Sequence, residues 1–389
     1  MNYTLASDDE IQFDVNSLYA TFQRLSDRRK ARGKRYELAL VLTLSVLAKL
    51  AGQDEPEGMA EWVKLRGETL RDGLGISRET LPHAVTYRRV LGEAVNIEEL
   101  EQVVGAFFER CASNSNQLAI DGKSLRGTIE TGQTRGVYLL AVYAPDSGVV
   151  LNQVNIEHKD NEISAAPSVL SGIDLEGKVV TGDALFTQRD LSAAIVEAGG
   201  DYVWLVKDNQ PRLRADIERL FGPDIVLPAS APLKTDFQAA TTTTKAHGRL
   251  ETRTLTTSAL LNDTTDWPYL SQVFQLVREV RSLTTGKITR EVAYGLTSLA
   301  SPHASPHQLL TFRRKHWGIE NQLHYCRDVT FHEDACALAL GHAAQAIATL
   351  NNLVLGLLRL HGFSAIASAR RYFDAFPTHA LALVLYAVP

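Results

Sequence analysis

Hydrophobic and polar positions along the chain change period twice. Through Tyr36–Leu50, and again around Met59–Leu65 with Trp62, apolar residues recur at helical spacing, so the first hundred residues read as helical. The apolar run "LALVLTLSVLAKLA" (Leu38 to Ala51) contains Lys49 and is shorter than the roughly 20 residues of a membrane span, which predicts a buried helix. In "LRDGLGISRETLPHAVTYRRVLG" (Leu70 to Gly92), Gly73 and Gly75 end one helix. Ser77 caps the next, with Thr80 and Pro82 in its first turns and Arg78, His83, Tyr87, Arg88 and Arg89 dressing it. From Gln117 short apolar runs take over: "QLAID", "GVYLLAVYA" and "LNQVNIEH" predict strands, the last two separated by the turn "PDSG". "NEISAAPSVLSGI" is a short helix containing Pro167, "GKVVTGDA" a buried strand ending in Asp183, "TQRDLSAAIVEAG" an amphipathic helix closed by Gly199 and Gly200, and "DYVWLVKD" another strand. The order β-β-β-α-β-α-β predicts an α/β sheet layered with helices.

A second change of texture follows. Leu227 to Leu299 is rich in Thr, Val and alternation, with strands at "TTTTKAHGRLETRTLTT", "VFQLVREVRS" and "TREVAYGLTSL". In a strand, Lys245, His247, Arg249, Glu251 and Arg253 would project from one face. Ser305–Arg327 reads as one helix. Leu309, Phe312, His316, Ile319, Leu323 and Cys326 form a mostly apolar face, and Arg313, Trp317, Glu320, His324 and Arg327 an adjacent one. The tail "GHAAQAIATLNNLVLGLLRL" is helical, with Asn351 and Asn352 interrupting its apolar run and the basic pair Arg370–Arg371 beyond it.

Composition changes this picture little. The 389 residues suit two or three domains, or one large domain with insertions, and 45% apolar with 22% charged residues excludes a disordered chain. Cys111, Cys326 and Cys336 make no disulfide framework, which predicts a reducing cytoplasm. The acidic start "MNYTLASDDEIQF" lacks the order of a signal peptide. A net charge of −5 gives no basic field overall, but "RLSDRRKARGKR" sets seven bases against Asp27. That segment reads equally as a solvated loop or as a nucleic-acid contact through Arg28, Arg29 and Lys30. The two-helix corner around Ser77 is of the helix-turn-helix kind, a motif shared with many corners that never meet DNA.

Three acids stand out by position: Asp121 and Asp183 at strand ends, and Glu320 in "RRKHWGIENQLHYCRD", alone among bases and rings until Asp328. Carboxylates from distant parts of a chain are what a pair of Mg²⁺ ions needs, water and substrate phosphate completing each octahedron. An Asp after a strand is also a common turn former or helix cap. Asp328, Glu333 and Asp334 compete with Glu320 as the third carboxylate. His324, Cys326, His332 and Cys336 do not follow a zinc-finger spacing, and Trp317 reads as core more than as a base-stacking platform.

At "LAIDGKSLRGT", "VVTGDALFTQRD", "DYVWLVKDNQP", "HGRLETR" and "HWGIENQLHYCRDVTFHED" the chain resembles insertion-sequence transposases of the ISAs-one (H-repeat-associated) family, and "KRYELALVLTLSVLAKLAG" resembles their N-terminal associated domain. The resemblance runs along most of the chain, its motifs in order. It implies an α/β fold: a ribonuclease-H-like DDE catalytic domain over 113–389 with a β-rich insertion at about 222–302, a helical N-terminal DNA-binding domain over 1–112 and a helical C-terminal tail. It places the catalytic, metal-holding acids at Asp121, Asp183 and Glu320. The wider clan flanks its glutamate with a tyrosine, an arginine and a following lysine; here those places hold Arg313, His316 and Arg327.

The implied chemistry is DNA transposition. Two Mg²⁺ (or Mn²⁺) ions serve cleavage at the element's inverted-repeat ends and strand transfer into target DNA. The partners would be double-stranded DNA and, since two ends must be held together, a second copy of the chain. No membrane is involved, and the setting would be a bacterial cytoplasm at the nucleoid. Beside Arg28, Arg29 and Lys30, the candidate DNA contacts are Lys123, Arg126, Lys207, Asn209, Gln210, His247, Arg249, Arg253, Arg313, His324 and Arg327. For Lys123 and Arg126 an ordinary surface loop, for Asn209 a turn, and for the His247–Arg253 stretch the wet face of a hairpin stand as alternatives. Two rival functions remain open at this level: a ribonuclease-H-like nuclease that cuts without joining, and a non-catalytic DNA-binding protein.

Overall fold

The computed structural model describes residues 14, 16–30, 34–111, 115–129, 131–156, 162–222, 236–301, 303–335 and 340–386. In chain order the elements are α1 (Leu18–Gln23), α2 (Leu38–Leu50), α3 (Pro56–Leu65), α4 (Gly67–Gly73), α5 (Ala84–Arg89) and α6 (Ile97–Cys111). Then come β1 (Gln117–Ser124), β2 (Tyr138–Ala144), β3 (Val149–Ile156), α7 (Glu162–Leu170), β4 (Val179–Thr181), α8 (Arg189–Glu197), β5 (Asp201–Val206) and α9 (Pro211–Leu220). The strands β6 (Gln238–Ala246), β7 (Arg249–Ser258), β8 (Gln272–Ser282) and β9 (Ile288–Thr297) follow. The helices α10 (Pro306–His316), α11 (Ala343–Leu360), α12 (Ile366–Ala375) and α13 (Pro377–Leu385) complete the chain. Three strands, then helix and strand in alternation, with β1, β4 and β5 parallel and β2 and β3 an antiparallel hairpin, make a ribonuclease-H-like α/β core with helical N- and C-terminal regions.

Contacts divide the chain into two compact units that interleave in sequence. A helical unit comprises Met1–Asn114, Gly122–Lys159 and Glu320–Pro389, and a sheet unit comprises Ser115–Asp121 and Asp160–Ile319.

In the helical unit, α2 buries every residue but Leu40, as its nearly continuous apolar run requires. Its Lys49 is tolerated inside because Nζ reaches Asp54 at 3.1 Å. Helix α5 begins later than the Ser77 cap suggests. Its cap is His83, whose Nδ1 accepts from the Val85 amide. Pro82 supplies the reason, since the residue before a proline is driven out of helical backbone. The backbone of α5 continues into a π turn, Val90–Ala94. Helix α11 is long and apolar enough to cross a membrane, but 83% of it is buried. It lies against β3 and α6, so its hydrophobicity serves the core. Pro167 sits inside α7 as expected.

The sheet unit is built around β1-β4-β5, parallel, extended by β9-β8-β7-β6 in antiparallel order. Its core gathers Val179, Val203, Leu255, Phe274, Leu309 and Leu310 between sheet and α10. Helix α10 opens with a capping box: Ser305 accepts from the Gln308 amide, and Gln308 accepts from the Ser305 amide at 2.8 Å. Two expectations change here. Strand β1 runs on to Ser124, so Asp121 lies inside the strand rather than at its end. The helix expected over Ser305–Arg327 stops at His316, and π-helical turns cover Ile319–His324 and Cys326–Thr330.

Gly105 on α6 packs directly on the Leu151 carbonyl of β3, where any Cβ would collide with backbone. Gly105→Ala is expected to lower stability by about 1–3 kcal/mol, read as a shift of the denaturant midpoint at unchanged m-value.

Candidate active site

Parallel pairing sets Gln117, Leu118 and Ala119 of β1 beside Val179, Val180 and Thr181 of β4. Continued two residues past the last pair, that register would set Asp121 level with Asp183, with both side chains on one face. Asp183 follows the strand in extended backbone and caps a short helical turn, Ala184–Phe186, its carboxylate accepting from the Leu185 amide at 2.8 Å. Its capping role, open as an alternative in the sequence, is therefore realised, and Asp183 is still exposed.

Helix α10 is fastened across these two strands by buried hydrogen bonds. Gln117 Nε2 donates to Thr181 Oγ1 at 3.0 Å and to the Phe312 carbonyl at 2.8 Å. Thr181 Oγ1 donates to the Leu118 carbonyl at 3.1 Å and meets His316 Nδ1 at 3.1 Å. Because the hydroxyl proton goes to Leu118, the imidazole donates from Nδ1. Burial, aided by the Arg313 charge, holds His316 well below the usual histidine range, so the ring is neutral. Arg313, buried under the same helix, donates from Nη1 to the Gly182 carbonyl at 3.2 Å. Burial lowers its pKa to about 10, and the Asp183 charge opposes that shift. Arg313 is thus a fixed cation behind Asp183, not an exposed DNA contact. Sequence reading missed Gln117 and Thr181 altogether, since one buried polar residue in a strand carries no periodic signal.

Glu320 is exposed in the π turn Ile319–His324. In an α-helix, seven residues make nearly two turns and would place Arg327 on the same face. The i→i+5 bonding of the π turns widens each turn and rotates Arg327 away. Arg327 is fully buried in the helical unit, where Nε donates to both Glu333 oxygens at 2.9 and 3.0 Å and Nη1 reaches Gln153 and Asn352. Asn351 donates to Glu333 at 2.8 Å, which explains the amides interrupting the apolar run of α11. Arg327 is therefore no DNA contact: its charge is consumed inside. His324 is buried as well, its pKa depressed by burial, then by Arg327 and Lys123. Lys123 is buried and ion-paired with Asp328 and Asp334, so neither it nor His324 is presented to a phosphate. Trp317, expected in the core, is 58% exposed at the end of α10.

Other candidates divide in the same way. Asn209 donates to the Ala184 carbonyl and Gln210 to the Thr187 carbonyl, so both brace the turn after β5, whereas Lys207 is exposed. His247 and Gly248, at φ 48° and 71°, form the two-residue turn joining β6 to β7. The strand face expected to carry Lys245 through Arg253 is thus broken. Arg249 and Arg253 share one face of β7, His247 lies in the turn, and Lys245, paired with Leu250, lies on the opposite face. Arg253 is bonded to Glu251 at 2.7 Å and lies close enough to Arg314 of α10 to feel its charge. Arg126 is 81% exposed, near Asp334. In the N-terminal segment Arg28 and Lys30 are exposed, while Arg29 is held by Asp27 and the Tyr36 carbonyl.

Residues 113–357, more than half of the chain, match the family described as "Transposase DDE domain", and residues 19–108 match "DDE_Tnp_1-associated". The chain belongs to the DDE transposases. It is 29% identical over 353 residues to "Putative transposase YncI" of Escherichia coli O157:H7, covering 89% of this chain and 88% of that one. It is 26% identical over 355 residues to "H repeat-associated putative transposase YhhI" of Escherichia coli K12, covering 89% and 91%. The piggyBac transposase in a synaptic complex with hairpin DNA aligns with a TM-score of 0.42 at 10% identity, covering 94% of this chain and 77% of that one, too distant to bear on the comparison.

The transposase is accordingly an enzyme of DNA cleavage and strand transfer, in a family that generally uses divalent metal ions. Among the described residues no three His, Cys, Asp or Glu side chains are gathered closely enough to hold a metal ion. Cys336 of the zinc candidates lies outside the described residues. Asp121 and Asp183 supply the carboxylate oxygens that hard cations take, along with phosphate and water.

Two expectations follow. Arg327→Ala should destabilise the fold by roughly 3–5 kcal/mol by stranding Glu333, measured by chemical denaturation, with no loss of DNA affinity in the folded fraction. His316 and His324 are neutral when folded and protonate when unfolded. Their contribution is thus complete above the ordinary histidine pKa of 6.5 and is lost as pH falls below it. Stability should drop by up to about 1.4 kcal/mol per pH unit per histidine in that window, and His316→Gln should flatten the decline.

Proposed function

We propose that the transposase cuts DNA at the inverted-repeat ends of its own element and joins the freed 3′ ends to target DNA, with Asp121, Asp183 and Glu320 holding two Mg²⁺ (or Mn²⁺) ions. The observation that carries this reading is the parallel pairing of β1, which holds Asp121, with β4, which Asp183 follows two residues on, in a DDE transposase domain. When bound, the ions supply Lewis acidity at the scissile phosphate and lower the pKa of the attacking oxygen. Arg313, fixed behind Asp183 by the Gly182 carbonyl, sets a positive charge beside that carboxylate. The neutral His316 holds α10 against β4 without adding a second positive charge near the metal side chains.

Supporting positions for the DNA backbone are the exposed cations. Arg249 and Arg314 sit on and above β7, beside the half-buried Arg253, with His247 at the hairpin tip, Lys207 after β5 and Arg126 after β1. Each would contact phosphate and position the duplex, without reading bases. Holding two ends at once calls for a homodimer, and the substrate places the enzyme in the bacterial cytoplasm at the nucleoid.

Labelled duplex carrying the element's terminal repeat, incubated with enzyme and Mg²⁺, should be nicked and then joined to a target plasmid. Chelation should abolish both steps, and Asp183→Asn should lose both while keeping DNA affinity. The exposed Asp216→Asn should behave as wild type. Nicking without any joined product would favour the nuclease reading, and cleavage surviving in Asp183→Asn would refute the catalytic assignment.

A further inference from the structure

Glu320 stands in a backbone that needs outside support. The i→i+5 bonding of its turn, Ile319–His324, and of the next, Cys326–Thr330, is rare and is found mostly as single turns at functional sites. Side chains fasten these turns to three successive strands. On β2, the Tyr143 hydroxyl donates to Gln322 Oε1 at 3.2 Å. On β3, Gln153 Oε1 accepts from Arg327 Nη1 at 3.4 Å. On β1, Lys123 Nζ donates to Asp328 and lies 3.8 Å from Asp334. Asp334 also accepts from the Arg126 amide at 3.1 Å, just past the end of the same strand. All of these residues belong to the helical unit.

The Lys123 link differs from the other two in where it starts. Lys123 is two positions beyond Asp121 on β1, so the two side chains leave the strand on one face, roughly 7 Å apart along it. Its ammonium is buried, and a buried charge is costly without partners, so it draws both aspartates to the strand. The same pairing sorts the acids that follow Glu320. Asp328 and Asp334 are taken by Lys123 and Glu333 by Arg327. Glu320 is exposed and has no ion-pair partner among the described residues. Of these four acids, it is the one left with its charge unspent.

We propose that Lys123 is a positioning residue for the third carboxylate. Through Asp328 and Asp334 it ties β1, just beyond Asp121, to the turns that carry Glu320, and so sets how tightly the acids hold their ions. It touches neither metal nor DNA. The inference rests on the reading that Asp121 and Glu320 are metal-holding acids, and the two are separable by experiment.

Mn²⁺ binding to the enzyme without DNA is measured by EPR, from the loss of the aqueous ion's signal. Lys123→Met is expected to weaken uptake at least about tenfold, as loss of an outer partner does to a metal site. Nicking of the terminal-repeat duplex should need correspondingly more Mn²⁺ and return close to the wild-type rate once the ion saturates. Affinity for that duplex in EDTA should not change, and Lys123→Arg should restore most of the uptake. Asp328→Asn should weaken uptake in the same direction. The double variant should lose no more than Lys123→Met alone, because the two side chains act as one link. Gly105→Ala, destabilised elsewhere, should take up Mn²⁺ as wild type does.

Unchanged uptake in Lys123→Met overturns the proposal. So do additive losses in the double variant, which would make Asp328 a ligand in its own right. A loss of duplex affinity in EDTA with uptake intact overturns it too, by making Lys123 a phosphate contact. If Lys123→Met does not fold, the partly exposed Asp328→Asn decides, and unchanged uptake there breaks the link. Glu320→Gln separates the two claims. Where it takes up Mn²⁺ as wild type does, the two-ion reading itself falls, and the positioning role with it. Where it loses uptake and Lys123→Met does not, only the positioning role falls.

Discussion

Parallel pairing of β1 with β4 is the constraint on which the site's arrangement depends. Continued two residues past its last pair, it would set Asp121 level with Asp183, which lies 62 positions later in the sequence. The level is defended by a hydrogen-bond set in which Thr181 is the hub, with Leu118, Gln117 and His316 as its partners. Every one of these groups is buried, so a slip of either strand would leave polar atoms without partners, at about 1–3 kcal/mol each. Gln117 also holds the Phe312 carbonyl, and Arg313 the Gly182 carbonyl, so α10 is locked to the strands that carry the aspartates. Strand alignment and helix docking are one interaction seen from two sides.

Burial of charge is the second organising theme. Lys49, Arg327 and Arg370 are interior cations of the helical unit, each held by a different device. Lys49 uses Asp54. Arg327 uses Glu333 and a shell of amides. Arg370 combines Asp54, the Lys49 and Thr330 carbonyls and the face of Phe331 at 4.4 Å. In the same interior, Glu101 lies between Gln153 and Gln345, and burial pushes it up to about 7 against those hydrogen bonds. Such pairs add little net stability over apolar packing, but losing one partner is severe. They therefore fix which arrangement the unit adopts. Exposed cations such as Arg249 on β7, His247 at the hairpin tip and Arg28 and Lys30 in the N-terminal segment stand in water instead.

Much of the fold is legible in the sequence. The strands at "QLAID", "GVYLLAVYA", "LNQVNIEH", "GKVVTGDA" and "DYVWLVKD" and the helices between them all occur, because period-2 and period-3.6 burial leave local traces in sequence. The Leu309–Cys326 face is largely buried as its spacing predicts. What escaped was local geometry that depends on backbone conformation. The left-handed His247–Gly248 turn reversed the strand expected to continue through it, Pro82 delayed α5, and the π turns after Trp317 changed which side chains share a face.

The amino-acid sequence alone determined the element order and the family, because each is carried by residues close together in the chain or by motifs in fixed succession. The tertiary structure decided which basic residues are structural and which are available. Arg313, Arg327 and Lys123 look like surface cations in one dimension, yet lie inside beside partners as far away as Asp334 for Lys123. No local pattern reports that difference: whether a charge meets water or a buried counter-charge depends on residues brought from elsewhere in the chain.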